Sequence, residues 1–169
     1  MKIIQAMKKV KENKEKITDL QAKIAVACAN LNFETPVYGD ATKQKISEWL
    51  QSCQDLSQDN IGLLCSIART NLATVVPIEV GGKTVTKTIA EWVWRRREYA
   101  LLDAKAFAVL TDRNLKEGVT QSSTGQAVEV RIQRHYDPNY RDMMLAMYKS
   151  EPHLIDSTLE VINAVTDLV

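Results

Sequence analysis

The residues with the most chemical potential fall within eight positions: Trp92, Trp94, Arg95, Arg96, Arg97 and Tyr99. Guanidinium forks clamp phosphates and neighbouring aromatic rings stack on bases, so this composition suits an anion or a partner surface. At about 100° per residue, however, the six spread around most of a helix and make no single face. Glu91 and Arg95 already form a favourable i,i+4 pair. The expectation is a helix whose aromatics pack on one side and whose arginines pair with carboxylates or touch another subunit. Trp92, Arg95, Arg96 and Arg97 stand as the candidate partner or anion contacts.

The other reactive residues are more scattered. Arg131, Arg134 and His135, with Arg141 soon after, form a second basic set; alternation along a strand makes it a solvated face. Gly81-Gly82-Lys83-Thr84 ends like a phosphate-binding loop but lacks the upstream glycine, so a hairpin turn is the better account. His135 and His153 are the only histidines and lack metal-ligand spacing. Cys28 and Cys53 lie at or beside apolar seam positions and read as small core residues. No carboxylate pair is set apart by a motif. The sequence therefore assigns no catalytic residue, no metal ligand and no cofactor, and the chain reads as non-enzymatic.

Bulk composition narrows the class. The chain has 169 residues, 45% of them apolar and 25% charged, which suits one globular domain over 1–169. Its 22 basic and 21 acidic residues leave a net charge of +1, so no global field draws it to nucleic acid or acidic lipid. Three cysteines in helical patterns argue for a reducing compartment rather than a disulfide framework. The lysine-rich N-terminus lacks the apolar core of a signal peptide, and no apolar run approaches the ~18 residues a spanning helix needs. The expected location is cytoplasmic, or the host cytoplasm or virion if the chain is phage-encoded.

The elements that must position these residues begin with two seams. Ile3, Val10, Ile17, Ile24 and Leu31 recur every seventh position, with Ala6, Asn13, Leu20 and Ala27 three places on. This a/d pattern predicts a helix from about Lys2 to Leu31 that packs lengthwise on another helix. The segment 32–40 breaks it with Pro36 and Gly39. A second seam, Ile46, Trp49, Cys53, Leu56, Asn60, Leu63 and Ile67, predicts a helix over 41–69, antiparallel to the first, so 1–70 is a coiled-coil-like helical hairpin. Each seam carries one asparagine, Asn13 and Asn60; such a residue costs stability but fixes register and partner number, so replacing Asn13 by Leu is expected to stabilise the chain.

The period then changes. Residues 71–86 read as a β-hairpin turning at Gly81-Gly82, with Pro77 confining its first strand to an edge. Thr86, or the capping box Thr88-Ile89-Ala90-Glu91, opens a third helix over 87–117. A polar loop follows over 118–126, then a strand over 127–136 with strict alternation. Asp137-Pro138 starts the C-terminal helices of 138–166, broken at Glu151-Pro152. The fold class is mainly α: a long antiparallel helical hairpin, further helices and a small antiparallel β element.

Three stretches carry a family resemblance: Ile67-Ala68-Arg69-Thr70-Asn71, Gly81-Gly82-Lys83-Thr84-Val85-Thr86 leading to Arg95–Arg97, and Ile162-Asn163-Ala164-Val165-Thr166-Asp167-Leu168. In order and spacing the chain resembles the septicolysin-like family of small helical bacterial and phage proteins. Val85 stands where that family has Leu and Ala164 where it has Trp. The resemblance implies a helical hairpin with a small β element and no established chemistry. Its phage occurrence implies a virion or accessory component, and the family label a membrane-active cytolysin. Together with the seams, this gives the expected function: a homo-oligomeric structural or adaptor protein that binds itself and other proteins. The alternatives are a cytolysin-like protein and a nucleic-acid-binding accessory protein. The missing apolar span and the near-zero net charge argue against membrane and nucleic acid as partners.

Overall fold

The computed structural model describes residues 1–169 and divides them into two compact units, Met1–Thr74 with Leu159–Val169, and Val75–Thr158. The fold is mainly helical, with a long N-terminal helical hairpin and two small antiparallel β-hairpins.

In the first unit α1 (Ile3–Ala27) packs along α2 (Thr42–Ala73). Lysines and glutamates spaced i,i+4 line the outer side of α1, as in Lys8–Glu12 at 3.8 Å and Lys11–Glu15 at 3.9 Å. The seam is sealed at one end, where Ile3, Ala6, Val10 and Asn13 are buried. Further along it loosens: Ile17, Leu20 and Ile24 are half-buried, as are Ile46, Trp49, Cys53, Leu56, Leu63 and Ile67 on α2. The two seam asparagines meet. Asn13 Nδ2 donates to Asn60 Oδ1 at 3.0 Å in a buried setting, one hydrogen bond across the seam that locks the register. This reverses the expected effect of Asn13→Leu, which leaves the Asn60 carboxamide buried without its partner.

Leu31 is not part of the seam. α1 ends at Ala27, and Leu31 is exposed in the connection. There Asn30 Nδ2 donates to the Leu31 and Glu34 carbonyls and the Leu31 amide donates to Glu34 Oε2, local bonds that compete with the helix. Cys28, just past the helix end, is exposed rather than a core residue.

The two ends of the chain are stitched together within this unit. The Ile3 amide donates to the Thr166 carbonyl (3.0 Å) and the Leu168 amide to the Met1 carbonyl (2.9 Å). Lys2 Nζ reaches both the Val165 carbonyl at 2.8 Å and Asp167 Oδ2 at 2.6 Å. The Val169 amide donates to the hydroxyl of fully buried Thr70 at 2.9 Å.

In the second unit β1 (Val75–Val80) pairs antiparallel with β2 (Lys83–Thr88). Gly81 and Gly82 turn the hairpin at φ +58° and +75°, the left-handed conformation that a two-residue turn of this hand requires. Val76 and Ile78 are buried on its inner face, while Pro77 alternates outward. Thr88 ends the strand and caps α3 (Ile89–Trp94): its Oγ1 accepts from the Glu91 amide, and Glu91 Oε2 accepts from the Thr88 amide at 2.7 Å. The second of the two expected start signals is therefore the one used, and Thr86 stays in the strand. A π-helical turn, Arg95–Tyr99, leads into α4 (Ala100–Ala108).

Three expected boundaries are corrected. The third helix stops at Ala108, well short of 117; past it the Leu110 amide tightens to the Phe107 carbonyl, Asp112 is drawn to Arg134 and Tyr136, and Arg113 and Asn114 hold positive φ. The expected polar loop contains a strand, β3 (Gly118–Gln121), paired with β4 (Ala127–Val130); β4 ends at Val130 rather than 136, beyond which the Ile132 amide turns to Glu117 Oε1. The C-terminal helices are one helix, α5 (Pro138–Val165), which runs through Pro152. A proline inside a helix costs about 3 kcal/mol. Here its neighbours Glu151 and Ile155 are buried, and the former is held by an ion pair, so packing overrides the local preference.

Candidate functional site

The arginine-aromatic helix is positioned at both ends, by the Thr88–Glu91 capping box and by the π-helical turn, where the Ala100 amide donates to the Arg95 carbonyl. Two hydrogen bonds from Thr88, backbone first and then side chain, hold the Glu91 carboxyl below its ordinary range.

Trp92 is not a partner contact. It is buried among the core residues and its Nε1 donates to the Val76 carbonyl at 2.9 Å, so the ring pins helix to hairpin. Arg95 is also consumed internally. Its Nε and Nη2 grip the two oxygens of Glu151 at 2.6 and 2.9 Å, its Nη1 binds Asp103 Oδ2 at 2.5 Å, and its guanidinium lies 5.2 Å from the Tyr148 ring centroid. Glu151 is only 3% exposed, and its bidentate hydrogen bonds raise the guanidinium's already high affinity for its proton. Arg96 pairs with Asp156. Arg97 alone of the three is exposed and makes no ion pair. Expected pairing with carboxylates thus holds for Arg95 and Arg96, with partners other than Glu91. Asp103 lies 8 residues from Arg95, but Glu151 and Asp156 lie 56 and 60 residues from their arginines, a separation at which sequence spacing carries no signal.

The second basic set is likewise neutralised. Arg134 binds Asp112 bidentately at 2.7 and 2.6 Å, Arg131 meets Glu129 at 2.9 Å, and Arg141 meets Asp142 at 2.8 Å. Asp112 is held below its ordinary range by Arg134 first, then by the Tyr136 hydroxyl.

What remains open beside the helix is a shallow groove of about 510 Å³ lined by Lys87, Glu91, Trp94, Arg95 and Tyr99. Trp94 is 57% exposed and Tyr99 52%. The π-helical turn sets both residues along this groove. Five residues on an ordinary helix would place them about 140° apart, whereas the wider turn, with ~4.4 residues per revolution, reduces this to about 50°. Such single wide turns recur at functional sites.

In the first unit the site residues are the seam itself. Beside it on α2 lies a second apolar row that the sequence reading missed: Ile61, Leu64, Ala68 and Leu72, all exposed, with Leu72 at 66%. Its spacing of 3-4-4 was visible, but it runs alongside a stronger seam. No helix is long and apolar enough to cross a membrane.

Comparison with known protein families, with curated proteins and with solved structures gave no match.

Proposed function

We propose that the chain is a non-enzymatic, homo-oligomeric structural or adaptor protein that assembles through its N-terminal helical hairpin. The observation that carries this reading is the surplus of apolar surface in the first unit. After α1 and α2 have closed on each other, the apolar seam residues from Ile17 to Ile24 and from Ile46 to Ile67 remain half-buried. The row Ile61, Leu64 and Leu72 is exposed beside them. Two helices cover only one side of each other, and contiguous exposed apolar surface on this scale marks an interaction face. A virion or accessory role is the setting that the septicolysin-like resemblance suggests for such an assembly.

Light scattering at micromolar concentration tests this. A mass that is a multiple of 19.0 kDa is expected, and Ile61→Glu with Leu64→Glu should return it to the monomer value. A 19.0 kDa species alone in the unaltered protein would overturn the proposal.

A further inference from the structure

We infer that the outer edge of β4 pairs antiparallel with the same edge of a second copy of this chain, about a twofold axis at Val130, joining two β-hairpins into one four-stranded sheet. The contact lies wholly in the second unit and does not rest on assembly through the helical hairpin.

The hairpin of β3 and β4 is incomplete as it stands. Every residue of both strands is exposed, and no third strand extends the sheet. Two strands without a buried face are marginal in water, and added strands stabilise them. The register shows which backbone groups are open. The Ser122 amide donates to the Gln126 carbonyl at 2.8 Å, so these two residues form a hydrogen-bonded pair. Such pairs alternate along an antiparallel ladder. Val128 and Val130 therefore bond toward β3, opposite Thr120 and Gly118, and the Ile132 amide on the same side is taken by Glu117. The backbone groups of Ala127, Glu129 and Arg131 point the other way, where the sheet ends. No proline or lysine blunts this edge.

Charge then selects the occupant and its register. Pairing on this edge sets outward-pointing residues opposite one another, so the available registers differ by steps of two. Centred on Val130, Glu129 lies opposite the partner's Arg131 and Arg131 opposite the partner's Glu129, with Val130 against its twin. Centred on Glu129, two glutamates face each other; centred on Arg131, two arginines do. Opposite charges facing across a ladder stabilise it and like charges oppose it, which leaves the register at Val130. The strand Gly118-Val119-Thr120-Gln121 has no charge with which to select a partner. A ladder this short buries far less than the ~1,200 Å² of a stable interface. It forms at high protein concentration and leaves the mass at micromolar concentration to the helical hairpin.

The test is oxidative crosslinking at millimolar protein in a chain carrying Cys28→Ser, Cys53→Ser and Cys65→Ser. In the inferred register Val130 faces its twin as a non-hydrogen-bonded pair with Cα atoms ~4.5 Å apart, within disulfide reach. Val130→Cys is expected to give a crosslinked species of twice 19.0 kDa. Val128→Cys, similarly exposed on the same face, would lie roughly 14 Å from its twin and should not crosslink. Adding Glu129→Arg to Val130→Cys sets like charges face to face and should cut the crosslinked fraction about tenfold. Adding Arg131→Glu as well sets opposite charges face to face again and should restore it. The exchanged residues of 128–131 are all exposed, so these variants keep the fold. No crosslinking through Val130→Cys overturns the inference, as does equal crosslinking through Val128→Cys. So does a crosslinked fraction that Glu129→Arg leaves unmoved or that the double exchange fails to restore.

Discussion

The helical seams of the first unit and the arginine helix of the second present opposite relations between pattern and surface. The seams are regular, uncharged and chemically bland, yet the hairpin they build leaves more than half of their residues only partly covered. The arginine helix is irregular and looks reactive, yet Trp92, Arg95 and Arg96 are all engaged within the unit. A dense cluster of charged and aromatic residues is therefore no guide to a free site. The useful question is which groups remain unpartnered after folding. In the first unit these include the aliphatic row beside the α2 seam; in the second they include Trp94 and Tyr99 together with exposed aliphatics such as Leu101, Val109 and Val119.

The comparison can be broken most forcefully at Glu151. It is 3% exposed and its charge is matched by Arg95, so Glu151→Ala removes the bidentate partner of a partly buried guanidinium and leaves it Asp103 alone. The expected loss is about 3–5 kcal/mol by chemical denaturation. Arg95→Met combined with Glu151→Leu should recover most of it, since replacing both charges removes the desolvation cost along with the attraction. A single Glu151→Ala variant as stable as the parent would mean that the arginine helix is not internally satisfied, and would return Arg95 to the candidates for a partner contact.

The corresponding change in the first unit is smaller. Asn13→Leu removes the donor that satisfies Asn60 and should cost about 1–3 kcal/mol, while Asn13→Leu with Asn60→Leu should be neutral or stabilising. Light scattering on the double variant sharpens the comparison further. A broadened mass distribution is expected if the asparagine pair sets copy number as well as register. Arg97→Gln should change stability by no more than about 0.5 kcal/mol, because the side chain is exposed and unpaired.

These contrasts follow what the sequence made legible. Period-seven recurrence is a local signal, so both long helices, the pairing of their seams and the Gly81-Gly82 turn were readable. The capping box at Thr88 was readable for the same reason, its two halves being three residues apart. The ends were less so: Leu31 continues the heptad but lies past the point where Asn30 diverts the backbone. Pro152 carries a strong local signal that a pair 56 residues apart overrules. β3 was missed because Gly118-Val119-Thr120-Gln121 has one strongly apolar residue and no buried face to produce alternation. In the candidate groove, Trp94 and Tyr99 were visible as residue types, but their common face depends on a π-helical turn, which no composition or spacing rule announces.

The smallest expected effect is acid sensitivity shared between the units. In the first, Asp167 is held below its ordinary range by its hydrogen bond to Lys2, with the chain's amino terminus adding to it. In the second, Asp112 is held down by Arg134 and Tyr136. A carboxyl whose folded pKa lies below its unfolded value takes up a proton more readily once unfolded. Its contribution to stability is therefore complete above the unfolded pKa and is lost as pH falls through the folded one. Both groups are solvent-exposed, so each contribution is modest and weakens with added salt. Stability should be flat above about pH 5 and fall below it. Asp167→Asn and Asp112→Asn should each make that fall shallower while changing little at low pH, where the parent carboxyls are already protonated. Denaturation midpoints from pH 2 to 7 check this. A parent and an Asp167→Asn variant with parallel acid limbs would show that the Lys2–Asp167 contact adds nothing to the backbone bonds that stitch the chain ends.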